Sequence, residues 1–288
     1  VATHRARLVD ILADALESRI TFDATVVGAG QNESSARIEL DDGSEASGRL
    51  VIGADGLHST VRAEVLGDEN TDLRYAGYTS WRGVTDLSDA DLDMSRSGEY
   101  WGSGQRFGIV PIGHGEVYWF AVGNAEQNQD FGRPTRELLV EMYADWPEQI
   151  PALIESTTDE IIRTDIRDRE PSETWGRGRL SLLGDAIHPM TPDMGQGGCQ
   201  AIEDGVVLAD ALANRPDDLV AGLRNYEDRR RGRTRWVVEQ SRKTGRVAQW
   251  KNWFATSLRN VGMRLMPQSL LDRQLERVLS PDFLEGEL

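Results

Sequence analysis

Several residue types on which other classes of protein depend are scarce in this chain of 288 residues. Cys199 is the only cysteine, which excludes a disulfide framework and agrees with a reducing cytoplasm. No apolar run approaches the roughly 20 residues of a membrane-spanning helix, and the first residues lack the pattern of a signal peptide. We therefore expect a cytoplasmic protein with no membrane span.

Positive charge is scarce as well. Lys plus Arg number 32 against 48 Asp plus Glu, for a formal net charge of −16, and only Lys243 and Lys251 are lysines. Such a surface repels phosphates, which argues against nucleic acid as a partner. Two explanations for the missing lysines stay open: a high-salt cytoplasm that screens charge repulsion, or a genome whose codon bias favours arginine.

The spacing of apolar residues predicts an α/β (α+β) chain. Helical spacing covers residues 5–19, 134–146, 151–155 and 199–212, and an arginine-rich helical pattern runs on beyond Asp217. Short strands are expected at residues 20–27, 36–40, 50–54 and 179–184, with a turn at residues 41–43.

Residues 74–163 differ in character, because Trp and Tyr become frequent and glycines interrupt the pattern. Within them, residues 107–111 and 116–122 predict neighbouring strands of an antiparallel sheet. We expect three regions: an α/β region at residues 1–73 and 164–215, an inserted β-sheet domain at 74–163, and a C-terminal helical region at 216–288.

One glycine motif is a decoy. Residues 26–33, VVGAGQNE, place Gly28 and Gly30 after a strand, as a dinucleotide-binding fingerprint does. The fingerprint needs a third small residue where Glu33 stands, so that a helix can pack closely and direct its N-terminus at a pyrophosphate. The polar residues that follow lead into another strand, so we interpret these glycines as part of a hairpin.

Residues 184–212 are different in kind. They combine an aspartate at the end of a strand, two prolines, three glycines around Gln196, and a long helix. Glycines let a backbone approach a flat ring closely, and a helix start offers free N–H groups to an anion. The alternative is that Asp185 only caps a turn and the glycines only fill a loop; spacing alone favours neither.

The segment LLGDAIHPMTPDMGQGGCQAIEDGVVLADAL, residues 182–212, closely resembles the GD motif of the group A flavoprotein monooxygenases, the aromatic hydroxylase family. Residues 53–62, GADGLHSTVR, resemble that family's DG motif, and residues 5–8 its RxxL segment. Residues 74–83 and 104–120 resemble the substrate-sheet strands of its urate-hydroxylase-like and zeaxanthin-epoxidase-like members. The family carries about a hundred residues before the RxxL segment, including the GxGxxG loop, so we expect a FAD/NAD(P)-binding-type fold that lacks its N-terminal βαβ. The resemblance implies that residues 1–73 and 164–215 form this partial FAD-binding domain and that residues 74–163 form a substrate-binding antiparallel β-sheet domain.

The resemblance implies roles for particular residues. Asp185 would bind the ribityl and phosphate region of FAD, and the backbone of residues 194–198 would face the flavin ring. The full set of residues implied to contact FAD is Arg5, Asp55, Asp185, Pro192, Met194, Gly195, Gln196, Gly197 and Gly198. No metal site is indicated.

Two residues of the sheet region are implied to be catalytic. Arg106 would position the flavin or pair with an anionic substrate, and Tyr118 would hydrogen-bond that substrate. The alternative for Tyr118 is cross-strand packing. Trp81 and Trp119 are expected in the core, His188 is expected to hold the loop in place, and Cys199 is expected to be a small apolar residue of a buried helix.

By resemblance the reaction is NAD(P)H-dependent reduction of FAD, addition of O2 to form a C4a-hydroperoxyflavin, and hydroxylation of a small aromatic substrate. Two alternatives stay open. The first is a catalytically silent flavoprotein fragment, and the second is a related flavin reductase or halogenase. The segment WRG at residues 81–83 favours hydroxylation over the second alternative.

A high-salt origin makes a testable prediction. Because the acidic surface repels itself at low ionic strength, the thermal unfolding midpoint should rise from low to multimolar KCl. Melting curves recorded across that range measure it. A midpoint insensitive to KCl would leave codon bias as the explanation.

Overall fold

The structure is a computed structural model that describes residues 3–16, 20–69, 72–86 and 97–280. Its helices are α1 (Arg5–Asp14), α2 (Thr60–Leu66), α3 (Thr135–Met142), α4 (Gln149–Ser156), α5 (Gly197–Ala213), α6 (Leu219–Ala248), α7 (Trp253–Leu265) and α8 (Gln268–Leu279). Its strands are β1 (Val26–Gln31), β2 (Ala36–Leu40), β3 (Glu45–Gly48), β4 (Val51–Gly53), β5 (Arg74–Asp86), β6 (Gly98–Trp101), β7 (Gln105–Gly113), β8 (Glu116–Asn124), β9 (Ile162–Asp168), β10 (Gly176–Arg177) and β11 (Leu180–Leu182). The predicted mixed α/β class is confirmed.

The chain divides into two compact units. The motif unit comprises residues 21–76, 167–245 and 263–288, and the sheet unit comprises residues 1–20, 77–166 and 246–262. Each contains its own cluster of buried apolar side chains. The three-region division expected from the sequence stays a prediction.

Parallel strands organise the motif unit. Strand β4 pairs in parallel with β11, with Ile52 opposite Ser181, and β10 adds an antiparallel edge. Strand β11 is buried along its whole length, as expected for a short apolar strand covered on both faces. Helix α2 packs on this sheet through Val61 and Val65, and Tyr226 of α6 donates a hydrogen bond of 3.0 Å to the carbonyl of Leu182.

The rejection of the glycine decoy is confirmed. Strand β1, which holds Gly28 and Gly30, pairs antiparallel with β2, and the chain reverses where Asn32 Oδ1 accepts the backbone N–H of Ser34 and Ser35. The expected strand at residues 20–27 was misplaced, because the ladder with β2 begins only at Val26. The predicted turn is present, with Gly43 at φ +81°.

The sheet unit is built on five strands in the order β6-β7-β8-β5-β9. The predicted pairing of β7 with β8 is confirmed. One face packs on α3 and α4: Trp119 stacks on Phe107 with ring centroids 5.5 Å apart, and its indole N–H lies 2.9 Å from Thr157 Oγ1. Trp81 and Trp119 are both buried, as expected.

Helices fill the C-terminal part. The predicted helical pattern beyond Asp217 forms α6, α7 and α8. At the other end α1 stops at Asp14, short of the expected residue 19, and residues 17–19 lie outside the described residues. No described helix is both long enough and apolar enough to traverse a bilayer.

Close packing around Gly53 gives a test of the motif unit. A Cβ at Gly53 would lie 2.6 Å from Val61 Cβ and 2.9 Å from Leu182 Cδ2. Gly53→Ala should therefore lower the free energy of unfolding by about 1–3 kcal/mol, measured by urea denaturation. Gly98→Ala in β6 is the matched control, because an added Cβ there meets no described atom within 4 Å; equal losses in both variants would contradict the packing argument.

Candidate functional site

Two aspartates follow the two parallel strands of the motif unit. Asp55 comes two residues after β4 and Asp185 three residues after β11, so both leave the carboxyl end of the same small sheet. Ligands of open α/β sheets bind at this end. Both side chains are exposed, which makes this sheet edge the candidate site of the motif unit.

A tight turn carries Asp185 away from β11. Gly184 adopts φ +60°, a left-handed conformation that suits glycine, and a Cβ there would lie 3.1 Å from Ala201 Cβ. The backbone N–H of Gly184 donates to Asp204 Oδ2 at 3.0 Å. This hydrogen bond attaches the turn to α5, the helix that follows it.

Asp204 is the centre of a buried polar network. Its Oδ2 lies 2.6 Å from His188 Nε2, and its Oδ1 accepts from Arg230 Nε at 2.7 Å. Arg230, fully buried on α6, also donates to Glu203 Oε2 at 2.7 Å and to Gln200 Oε1 at 2.8 Å. The network joins the turn at Gly184 (the motif turn), α5 and α6. Through its contact with Asp204, His188 holds the loop in place, as expected.

The charge state of Asp204 follows from these contacts. Burial by itself raises the pKa of this carboxyl, but hydrogen bonds and charge from His188 and Arg230 together outweigh burial and hold the pKa below its usual value. Asp204 is therefore ionised near neutral pH, which is the state that a fully buried arginine requires of its partner.

The start of α5 leaves open space beside its glycines. Gly195 adopts φ +63°, and at Gly195 and Gly198 an added Cβ would meet no described atom within 4 Å. A Cβ at Gly197 would lie 3.9 Å from Asp185 Oδ1, so the carboxylate reaches the helix start. Among the described residues no side chain caps this 17-residue helix, and its first N–H groups lack intrahelical acceptors.

Asp55 stabilises the DG segment. Its carboxylate accepts the backbone N–H of Thr60 at 2.7 Å and of Val61 at 3.3 Å, at the start of α2. Arg62 on that helix is buried and donates to the carbonyls of Ala186 and Ile187 at 2.9 and 3.1 Å. Arg62 therefore joins the DG segment to the GD segment by hydrogen bonds. Burial, and to a smaller extent the charge of Arg169, lowers the pKa of Arg62 to about 10.

In the sheet unit Arg106 is almost completely buried. Its Nε donates to Gln249 Oε1 at 2.9 Å, its Nη1 lies 3.2 Å from Glu99 Oε1, and its guanidinium lies 5.6 Å from the centroid of the Tyr78 ring. These contacts fix the orientation of the arginine within the unit. Its implied role toward flavin or substrate stays a prediction.

Tyr118 lies on the same face of the sheet as Arg106, opposite the face covered by α3 and α4. Arg106 pairs with Val122 on β8, and Tyr118 lies four residues further along that strand, a distance of about 13 Å. The sheet therefore does not bring the two implied catalytic residues together. Burial raises the pKa of Tyr118, and the charge and hydrogen bond of Arg82 oppose the shift only in part.

The remaining implied residues have mixed positions. Arg5 is the first residue of α1, which has no buried residue, and it belongs to the sheet unit. Pro192 and Met194 bound a single 3-10 turn just before Gly195, and Gln196 is buried at the N-cap of α5. Cys199, which was expected to be a small apolar residue of a buried helix, is exposed in the first turn of α5.

Sequence reasoning missed the residues that support the motifs. Asp204 and Arg230 stand 26 positions apart in the sequence. Arg62 acts through backbone carbonyls, which carry no sequence signal. Arg82 lies across the ladder from Phe120, beside Tyr118. A detectable signal existed for Asp204 only, since a charged side chain on the apolar side of the α5 pattern needs a buried partner.

The chain is similar to known proteins. A family model described as FAD binding domain matches residues 6–241. The chain is 43% identical over 281 residues to aurachin C monooxygenase/isomerase of Stigmatella aurantiaca, covering 97% of the chain and 72% of that protein. It is 36% identical over 239 residues to the chloroplastic zeaxanthin epoxidase of Spinacia oleracea, covering 79% of the chain and 35% of that protein.

A solved structure is also similar. Klebsiella pneumoniae HpxO complexed with FAD and uric acid superposes with a TM-score of 0.86 at 32% identity, covering 96% of the chain and 72% of HpxO. The agreement extends over both units of the chain.

The buried network predicts a large effect of Asp204→Asn. The substitution keeps the shape but removes one of the two carboxylates paired with the buried Arg230, so the free energy of unfolding at pH 7 should fall by about 3 kcal/mol. Urea denaturation measures the change. Asp210→Asn, which also removes an arginine partner but on an exposed part of α5, should cost much less; equal effects would contradict the argument from burial.

The same network predicts a pH dependence. Because the folded pKa of Asp204 lies below its unfolded value of about 3.9, its contribution is complete above that value and is lost as the pH falls through the folded pKa. The stability difference between wild type and Asp204→Asn should therefore narrow below about pH 4. Denaturation at several pH values from 7 to strongly acid measures it, and a constant difference would contradict the assignment.

Proposed function

The chain belongs to the FAD-binding family of flavin-dependent monooxygenases, and on that premise we propose that it hydroxylates a small aromatic substrate at the expense of NADH or NADPH. In the balanced reaction one atom of O2 enters the substrate as a hydroxyl group. The other atom leaves as water, and NAD(P)H supplies two electrons. The single observation that carries the proposal is the open, glycine-lined start of α5 beside Asp185.

The motif unit fits the flavin. Bound FAD supplies the redox chemistry and the activation of O2. The uncapped N–H groups of α5 favour a negatively charged ring edge, with a contribution of up to about 2 kcal/mol. Asp185 is the acceptor for ribityl hydroxyls, and residues 194–198 provide the backbone wall, with Pro192 stiffening the approach.

Asp55 and Arg5 complete the proposed cofactor contacts. Asp55 keeps the DG segment in place by accepting the N–H groups of Thr60 and Val61, the first two residues of α2. We assign Asp55 a positioning role next to the FAD pyrophosphate. Arg5, exposed at the start of α1, contacts the cofactor through its guanidinium.

The open face of the sheet unit fits an aromatic substrate. Phe120 packs over Gly108 so closely that a Cβ there would lie 2.1 Å from its ring, which leaves a flat apolar surface beside Tyr118, with ring centroids 6.1 Å apart. Because burial raises its pKa, Tyr118 keeps its proton near pH 7 and donates a hydrogen bond to a substrate oxygen. The relatives named for uric acid, aurachin C and zeaxanthin support an unsaturated or ring-containing substrate.

A direct test is titration of the purified chain with FAD, followed by the visible flavin absorption and by quenching of flavin fluorescence. Saturable binding is expected, and Asp185→Ala should weaken it by about tenfold, the value of one hydrogen bond to a charged group. Glu170→Ala, an exposed carboxylate of the same unit, is the control. An unperturbed flavin spectrum at saturating protein would refute FAD binding by this chain.

Tyr118 gives a test of the substrate face. Tyr118→Phe removes one hydrogen bond, so product formed per NAD(P)H oxidised with a hydroxylated aromatic acid should fall by about tenfold. Tyr100→Phe is the matched control, because that hydroxyl accepts from Gln149 Nε2 on the other face of the sheet. Unchanged coupling in Tyr118→Phe would remove this residue from the substrate site.

A further inference from the structure

Residues 253–262 of helix α7 belong to the sheet unit, and among the described residues Arg259 is the one residue of the helix that is buried. Arg259 is buried, and its guanidinium donates to the carbonyls of Ala248 and Gly102, each at 2.9 Å. The same guanidinium lies 5.4 Å from the centroid of the Trp101 ring. These contacts set the rotation of the helix about its axis, so the direction of its other side chains is determined.

The opposite side of α7 is an exposed apolar stripe, formed by Phe254, Leu258, Val261 and Leu265. Their spacing of four, three and four residues places them within roughly 60° of one another around the helix. They are 64%, 62%, 51% and 75% exposed, and Trp253 at the first turn is 76% exposed. Isolated exposed apolar residues need no explanation, but a continuous stripe marks a contact surface.

The segment of sequence that contains α7 is positively charged, in contrast to the chain as a whole. Residues 240–271 contain six arginines and lysines and no Asp or Glu, in a protein whose net charge is −16. Both lysines of the chain fall in this segment. Arg264, in the last turn of α7, is exposed and lies about 60° around the helix from Val261. Lys251, two residues before the helix, is exposed as well.

We propose that α7 is a docking surface for an anionic phospholipid bilayer, lying in the interface with its apolar stripe among the acyl chains. A helix with Trp, Phe and Leu on one side and cations at its border is the type that binds membranes without crossing them. A second copy of the chain fits the charge less well, since a two-fold contact through the stripe would bring Lys251 and Arg264 close to their own equivalents.

Vesicle co-sedimentation tests the proposal. The full chain should pellet with vesicles of equal parts phosphatidylcholine and phosphatidylglycerol, and much less with phosphatidylcholine alone. Phe254→Glu with Leu258→Glu should abolish pelleting. Lys251→Gln with Arg264→Gln should weaken the partition onto phosphatidylglycerol vesicles by about tenfold or more while leaving the apolar stripe intact.

A control variant and a fluorescence measurement test whether vesicle binding occurs through α7. Ile162→Glu, at an apolar residue of β9 that is 58% exposed, should pellet like wild type. Brominated lipid should quench tryptophan fluorescence in wild type and less in Trp253→Phe. Pelleting that is absent, or unaffected by the Phe254 and Leu258 changes, overturns the proposal. So does a concentration-dependent dimer that these changes dissociate without any vesicle binding.

Discussion

The buried carboxylate of Asp204 is the contact on which the motif unit depends. It accepts from the Gly184 N–H, His188 and Arg230, and these partners come from the motif turn and from α6. If the turn binds FAD as proposed, its tip must stay open, so it cannot be stabilised by burying the tip. The hydrogen bond from the Gly184 N–H to Asp204 holds the backbone of the turn while the side chain of Asp185 stays exposed.

The sheet unit separates stability from recognition in a similar way. One face of the sheet carries Trp81, Phe107 and Trp119 against α3 and α4, and the hydroxyl of Tyr143 lies 2.9 Å from the carbonyl of Arg106 and 3.1 Å from that of Val122. Side chains alternate across a strand, so a rigid core on one face orders the residues on the other. Arg82, Tyr118 and Phe120 therefore have defined positions without being part of the core.

The sequence predicted the features that have local patterns. The helix at α5, the β7–β8 pair and the hairpin glycines were all expected from spacing, and the resemblance of residues 182–212 led to the family and to FAD, which the relatives confirm. The partners of Asp204 and Arg62 were out of reach, because ion pairs between distant positions leave no periodic trace. Strand β1 was misplaced by six residues, since its first residue is decided by pairing with Leu40 rather than by its own composition. The roles of the implied site residues stay predictions.

The parallel pairing of β4 with β11 has a consequence for how the protein is made. Ile52 and Ser181 are neighbours in the ladder, yet the whole antiparallel sheet is encoded between them. A ribosome must therefore synthesise that sheet before β4 can find its partner, and until then the apolar strand and its DG segment lack their cover. Pairings between such distant positions form slowly and leave edges exposed to aggregation. For this fold, the order of synthesis favours completing the antiparallel sheet first and pairing β4 with β11, at the proposed cofactor site, last.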